Sequence, residues 1–418
     1  MRCLHCSWRS TNISCIQAPP HSRPPPMAIP LHAQRPVPAP LRTKIRLALL
    51  GSALCDALGA PGEFHGRFSY TFLSTMQPNG NFGGIPAGTW TDDTSMTLSL
   101  ARSIAKGEFS EADQLDAYYR WWQHGTLSAV GRCFDIGNTI LRVVDMYQSA
   151  LIEVGKDPKK AAETALPRIK KALDRPASSG NGSLMRVLPV GLAYHHNPAV
   201  AAMYGRRSSA TTHPNTVCGE ACAAWAGCIA WVVGCTTHEG RSMTKLDVLH
   251  YFASYPWPAE AEALRAALAL EVPLPHGWSI ETVPAGVEAH YSAHHPLLRL
   301  LATTVASSSS SDIESQTLGL LPQARALPSS GYVVHTLVAA LYAFLATFEA
   351  GALLTANMGD DADTVAAVYG GLAGAWYACE EGQGAFWSER VKGWRDALVR
   401  RNIIEEVAEE LEAFATQR

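Results

Sequence analysis

Charge is scarce in this chain and aromatic rings scarcer still. Of its 418 residues, 17% are Asp, Glu, Lys or Arg and 8% are Phe, Trp or Tyr, against 47% hydrophobic residues. That balance excludes a chain disordered throughout and leaves material for a large core, in one large or two ordinary domains. Up to Arg46 acidic residues are absent, while seven basic ones stand there: Arg2, Arg9, Arg23, Arg35, Arg42, Lys44 and Arg46. Setting that segment aside leaves 27 basic against 37 acidic residues, a net charge of −10, which argues against a nucleic-acid grip. A membrane span is lacking as well: the longest apolar run, Ala221 to Cys235, stops short of the roughly 18–20 residues required, and Glu220 borders it. The ten cysteines are scattered and fall largely at core-like positions, the pattern of reduced, buried thiols rather than of a disulfide framework. Cys3 and Cys6 have zinc-like spacing but no second half nearby.

Period-two alternation is also rare, so no sheet is demanded. Helical spacing is what the sequence offers instead. It predicts helices over Lys44–Leu58, Thr94–Ile104, Glu111–Gln123, Ile136–Tyr147, Pro158–Leu173, Ser183–Tyr194, Pro198–Ala210, Val217–Val233, Lys245–Phe252, Tyr332–Phe348, Asp363–Ala378 and Ile403–Ala415. Asn197 before Pro198 is a helix-start signal, and frequent Ala and Gly suit closely packed helices. Residues 1–41, rich in Pro, Arg and Ser, read as a tail unable to form a core, with a targeting segment as the other reading. Ser307 to Ser311 reads as a linker or surface loop. The expectation is one all-α, compact, single-domain orthogonal helical bundle over 42–418.

Chemistry concentrates in a few places. Thr91, Asp92 and Asp93 open the Thr94–Ile104 helix, and Asp361, Asp363 and Thr364 open the Asp363–Ala378 helix. The plainer reading of either cluster is a capped helix start with first-turn acids. Two such clusters, each flanked by apolar and glycine-rich sequence, also supply the hard oxygen ligands that magnesium or manganese takes. Asp56 sits alone on an apolar helix and needs a partner, and Glu63 follows a Pro-Gly break that frees it to face a cleft. Gly180, Asn181, Gly182 and Ser183 form a loop before a helix, able to cradle phosphate through backbone N–H groups. His213, before Pro214, reads on its own as a structural turn.

Taken in order, the segments GSALCDALGAPGE, GTWTDDTSMTLSLA, GRCFDIGNT, GNGSLMRVLP, ATTHPN, SGYVVHTLVAALYAF and NMGDDADTVAAVYGGLAGA resemble the ADP-ribosylglycohydrolase family. That family includes hydrolases of ADP-ribosylated arginine and serine, and the J1 crystallins. The resemblance implies an all-α hydrolase with two Mg2+ or Mn2+ ions, held by Thr91, Asp92, Asp93, Asp361, Asp363 and Thr364. Asp360 stands where many relatives have glycine and is left out of that set. The resemblance further implies catalytic roles for Asp92 or Asp93, with Glu63 second, and places Gly180, Asn181, Gly182, Ser183 and His213 against ADP-ribose. Asp135 is a candidate partner for an acceptor guanidinium, its plainer reading being a helix cap. The expected substrate is an ADP-ribosylated protein or small ADP-ribosyl compound. The protein is expected to be a cytoplasmic monomer without nucleic-acid or membrane binding. A binder or crystallin-like structural protein on the same fold, and a metal hydrolase acting on another ribosyl or phosphate compound, are the other readings.

Overall fold

In the computed structural model, which describes residues 29–237, 243–305 and 312–417, the organising element is a helix with almost no polar side. This helix, α1 (Leu41–Gly59), is buried from Ile45 onward except at Arg46, as befits a helix hydrophobic all round. Seventeen more follow: α2 (Asp92–Ala105), α3 (Glu111–His124), α4 (Asn138–Glu153), α5 (Pro158–Leu173), α6 (Leu188–Ala193), α7 (Pro198–Ala210), α8 (Thr216–Thr237), α9 (Lys245–Ala253), α10 (Glu262–Leu268), α11 (Pro284–His294), α12 (Pro296–Val305), α13 (Ile313–Leu320), α14 (Val333–Phe344), α15 (Phe348–Ala356), α16 (Ala362–Tyr377), α17 (Glu389–Ala397) and α18 (Arg401–Thr416). Among the described residues there is no strand, only isolated bridges between Asn79 and Ile85 and between Gly180 and Tyr332. The all-α expectation holds.

The centre is the antiparallel contact of α1 with α16. It is close because glycines face backbone: a Cβ on Gly51 would stand 2.6 Å from the Gly370 oxygen, and one on Gly59 would stand 2.8 Å from the Asp363 Cα. Ser52 adds a hydrogen bond to the Ala367 carbonyl at 3.0 Å. This contact brings the C-terminal part of α1, which carries Asp56 and is followed by Glu63, to the start of α16, where Asp361 and Asp363 stand. Outer helices are amphipathic. On α18, Ile403, Ile404, Val407, Ala408, Leu411, Phe414 and Ala415 face inward, while Glu406 and Glu410 pair with Arg102 of α2.

Two helices, Leu41–Gly62 and Thr216–Cys235, are long and apolar enough to cross a membrane by length and composition. Their apolar windows are 89% and 83% buried within the fold, which makes them core helices. The second is longer than the run counted from sequence because it continues through Thr216 to Glu220.

Other boundaries differ for physical reasons. The helix expected over Tyr332–Phe348 stops at Phe344, the end of α14, and α15 begins only at Phe348, the two parted at Leu345–Thr347. The buried ammonium of Lys245 donates to the Ala346 carbonyl at 2.6 Å and the Tyr377 hydroxyl donates at 3.1 Å, so distant residues stabilise that break. The stretch from Ser183 becomes helical only at Leu188, where Pro189 occupies the first turn. Helices α10, α11, α12, α13 and α17 went unpredicted, although α11 and α12 begin at Pro284 and Pro296. Asn197 caps α7 as expected, accepting from the Val200 N–H at 3.2 Å. Ile29 to Pro40 lies along the helical body: Leu31 is 5% exposed, the Leu31 N–H donates to Glu288, and Val37 N–H donates to the Trp376 carbonyl. Packed structure thus begins ahead of the expected boundary at 42. Residues 1–28 and Ser307 to Ser311 lie outside the described residues.

Candidate active site

Asp56 finds the partners that its apolar helix withholds. Its carboxylate accepts the N–H groups of Thr91 and Thr94 at 3.1 Å and the hydroxyls of Thr91 at 2.9 Å and Thr94 at 2.5 Å. The start of α2 is therefore capped from α1, and Thr91, although it stands at the cap position, makes no side-chain cap of its own. This frees Asp92 and Asp93 from capping. The same is true of Asp361, which stands at the cap of α16 without a capping bond.

Both helix starts open on one cavity of about 380 Å³. Glu63, Asp92, Asp93, Asp135, Asp361, Asp363 and Thr364 line it, together with Gly180, Asn181, Gly182 and His213. Of the residues that the family resemblance assigned to the site, two do not line it. Thr91 is buried behind Asp93, its hydroxyl 3.2 Å from that carboxylate. Ser183 is buried under the loop, accepting from Ser209 at 2.9 Å and from Cys222 at 3.4 Å. Asp360 also lies off the cavity, its carboxylate accepting from Ser329 at 3.3 Å. Asp135 is not a helix cap, since α4 starts beyond it with Gly137 at the cap position. It stands in a left-handed conformation (φ 55°), and oxygens of Glu63, Asp135 and Asp363 lie within 4.8 Å of one another.

Among the described residues, six carboxylates thus surround one space that no Lys or Arg lines. Several of their buried oxygens have no hydrogen-bond partner: both of Asp363, and one each of Asp93, Glu63 and Asp135. Burial pushes the carboxyls of Asp92, Asp93 and Asp363 well above the usual range, and repulsion among them pushes further. Asp361 is raised by burial, and Glu63 is raised by burial, then by Asp363 and Asp135. Burial brings Asp135 to about 7. Unpaired buried oxygens and mutually repelling acids are what hard divalent cations satisfy, so these residues fit a magnesium or manganese pair.

The surrounding loops are braced by arginines that the sequence reading did not single out. Arg67 is buried and donates to the carbonyls of Met358 (2.8 Å), Pro322 (2.5 Å) and Leu327 (2.8 Å) and to the Ser329 hydroxyl (3.1 Å). It fastens the loop carrying Asp361, where Gly359 takes a left-handed turn (φ 69°). Arg186 is fully buried, donates to the carbonyl of Gly182 at 2.5 Å and the Thr212 hydroxyl at 2.7 Å, and lies 4.6 Å from the Tyr118 ring centroid. A lone cation in the apolar run LMRVLP was a legible signal of this, by the logic applied to Asp56. His213 packs its ring on Gly180 and Gly182, where a Cβ at 182 would meet it at 3.0 Å. Burial, then Arg186, lowers its pKa to about 3, so it is neutral. Asn181 donates to Asp361 at 2.9 Å and to Thr336 at 2.8 Å, tying the glycine loop to the acidic wall. Behind both walls the turn before α18 acts as a brace: Trp90 donates to the Val399 carbonyl at 2.8 Å, Val399 to Gly88 at 2.9 Å, and Arg400 to Ser128 at 2.7 Å.

A helical body that gathers six carboxylates and a glycine loop around one cavity defines the class of scaffold. The chain belongs to the ADP-ribosylglycohydrolase family, whose sequence model matches residues 37–418, and it is a hydrolase. It is 29% identical over 349 residues to the ADP-ribosylarginine hydrolase Tri1 of Pseudomonas putida (strain GB-1), covering 82% of this chain and 73% of that protein. It is 25% identical over 340 residues to the ADP-ribosyl-[dinitrogen reductase] glycohydrolase of Rhodospirillum rubrum, covering 80% and 85% respectively. Among solved structures, an ADP-ribosylglycohydrolase-related protein complex superposes with a TM-score of 0.53 at 29% identity, over 90% of this chain and 99% of that one.

Proposed function

We propose that this protein releases ADP-ribose from arginine side chains by hydrolysing the N-glycosidic bond to the guanidinium. Family membership supports cleavage of ADP-ribose from an acceptor. The observation that carries the finer reading is the set of six carboxylates lining the cavity, with Asp135 beside Glu63. An acceptor entering such a space is favoured if it is cationic, and a carboxylate is the natural bidentate partner of a guanidinium. The names of the relatives, ADP-ribosylarginine hydrolase among them, support the same substrate class.

Asp92, Asp93, Asp361, Asp363 and Thr364 would hold two Mg2+ or Mn2+ ions, with Thr91 behind them. When bound, such a pair compensates the acidic charge, orients sugar hydroxyls and lowers the pKa of water. The chain's own groups do the rest. Backbone N–H groups of Gly180 and Gly182 receive the diphosphate, and neutral His213 closes the same wall. Asp92 or Asp93 takes the proton of the attacking water as positive charge develops at the anomeric carbon. Glu63, whose carboxyl burial and then the neighbouring acids raise, stands beside Asp135 and is suited to protonate the departing nitrogen.

The test is incubation with ADP-ribosyl-arginine, ADP-ribosyl-serine and free ADP-ribose, with Mg2+ or with EDTA. Metal-dependent release from the arginine compound is expected, reduced by Asp135→Asn. Release from none of the three would favour a binder on this fold, and unchanged arginine-linked turnover in Asp135→Asn would remove the guanidinium partner.

A further inference from the structure

A phenylalanine ring usually goes inside. Phe64 does not: it is 66% exposed and its backbone is left-handed, with φ 61°. That conformation is strained for a bulky side chain, and strain of this kind gathers at functional sites. Phe64 is pinned in it. Its N–H donates to the Asp360 carbonyl at 2.7 Å, and Asp360, itself left-handed at φ 55°, donates its N–H to His65 at 2.7 Å. The ring so displayed lines the cavity. It meets Phe82 edge to face at 6.0 Å, and Phe82 meets Phe134 edge to face at 5.7 Å.

The order along the chain gives this array its meaning. Phe64 follows Glu63, and Phe134 precedes Asp135, so each of these two neighbouring carboxylates is joined to a ring of one aromatic row. Aromatic faces and carboxylates share a preference for cations. A flat cation can use both at once, stacking on a ring while its edge pairs with a carboxylate. A seryl oxygen offers neither charge nor plane.

We propose that Phe64, backed by Phe82, is a specificity-determining residue that stacks on the guanidinium-bearing acceptor side chain while Asp135 pairs with its edge. This rests on the function proposed above and assigns the acceptor's place within it.

The experiment uses the Mg2+-loaded enzyme with ADP-ribosyl-arginine and ADP-ribosyl-serine as substrates and free ADP-ribose as product inhibitor. Phe64→Gly removes the ring and relieves the left-handed backbone, so thermal unfolding should be no lower than wild type. Its kcat/KM for the arginine compound should fall about 2- to 30-fold, chiefly through KM, the range of a lost cation–π contact. Phe82→Ala should fall less, and Phe64→Tyr, which keeps the face, should stay near wild type. Inhibition by ADP-ribose, which has no acceptor, should not move. An unchanged KM in Phe64→Gly, or a parallel loss of ADP-ribose inhibition, overturns the inference. A wild-type enzyme that cleaves only the serine compound also overturns it while sparing the glycohydrolase activity, and one that cleaves neither removes both.

Discussion

Replacing Asp56 by alanine tests how the acidic wall is held. The carboxylate is fully buried and receives two N–H groups and two hydroxyls from Thr91 and Thr94. The hydroxyls can turn elsewhere, that of Thr91 toward Asp93, but the N–H groups cannot. At roughly 1–3 kcal/mol per stranded buried donor, the two cost about 2–6 kcal/mol. A second effect opposes this. Burial raises the Asp56 carboxyl from its ordinary 3.8 to about 6, despite its four donors. Ionisation is therefore disfavoured in the folded state by roughly 3 kcal/mol at neutral pH, at about 1.36 kcal/mol for each tenfold step. Because the folded pKa is the higher one, wild type loses this stability as pH climbs from about 4 through about 6. Alanine escapes that loss. Urea unfolding in EDTA should thus show Asp56→Ala destabilised more at pH 5 than at pH 7.5, and Mn2+ affinity should fall because Asp92 and Asp93 begin the helix that Asp56 caps. A destabilisation at pH 7.5 equal to or greater than that at pH 5 would refute the reasoning.

Other perturbations give equally direct readouts. Gly51→Ala would be stabilising by helix propensity alone, by about 1 kcal/mol, yet its methyl would meet the Gly370 oxygen at 2.6 Å; net destabilisation in chemical denaturation is expected, and a gain would contradict the packing argument. Arg67→Met strands three carbonyls and should cost about 3 kcal/mol or more while weakening Mn2+ binding; stability loss without any change in affinity would show that the clamp does not position Asp361. In metal-free protein the raised carboxyls of Asp92, Asp93 and Asp363 hold extra protons, so stability should fall as pH rises from 5.5 to 8, and the rise in Tm on adding Mg2+ should be larger at pH 8. An equal rise at both pH values would contradict it.

Much of the candidate site was legible because its chemistry is local. The two acidic clusters and the glycine loop sit in short segments that offer ligand or phosphate chemistry, while His213, a structural turn on its own, was placed at the site only by the family resemblance. What escaped depends on partners far along the chain. Thr91 reads as a cap until α1 brings Asp56 over it, and Ser183 reads as part of a phosphate loop until Ser209 and Cys222 take its hydroxyl. Arg67 gives no local sign of its three carbonyl partners, which lie more than 250 residues away. The break between α14 and α15 depends on Lys245 in the same way. Glycine and alanine in α1 and α16 announced close packing, but only the antiparallel register shows why it matters: it sets Glu63 and Asp363 on one cavity.

The central claim is that the starts of α2 and α16 are two halves of one cation site. Titration of metal-free protein with Mn2+, followed by calorimetry or by the free-ion paramagnetic resonance signal, tests it most directly. Wild type should bind close to two ions per chain. Asp92→Ala and Asp363→Ala, each with unchanged helical circular dichroism, should each lose binding, although the two residues stand on different helices. If both variants bound Mn2+ as wild type does, the acidic cavity would not be the metal centre and the proposed chemistry would fall with it.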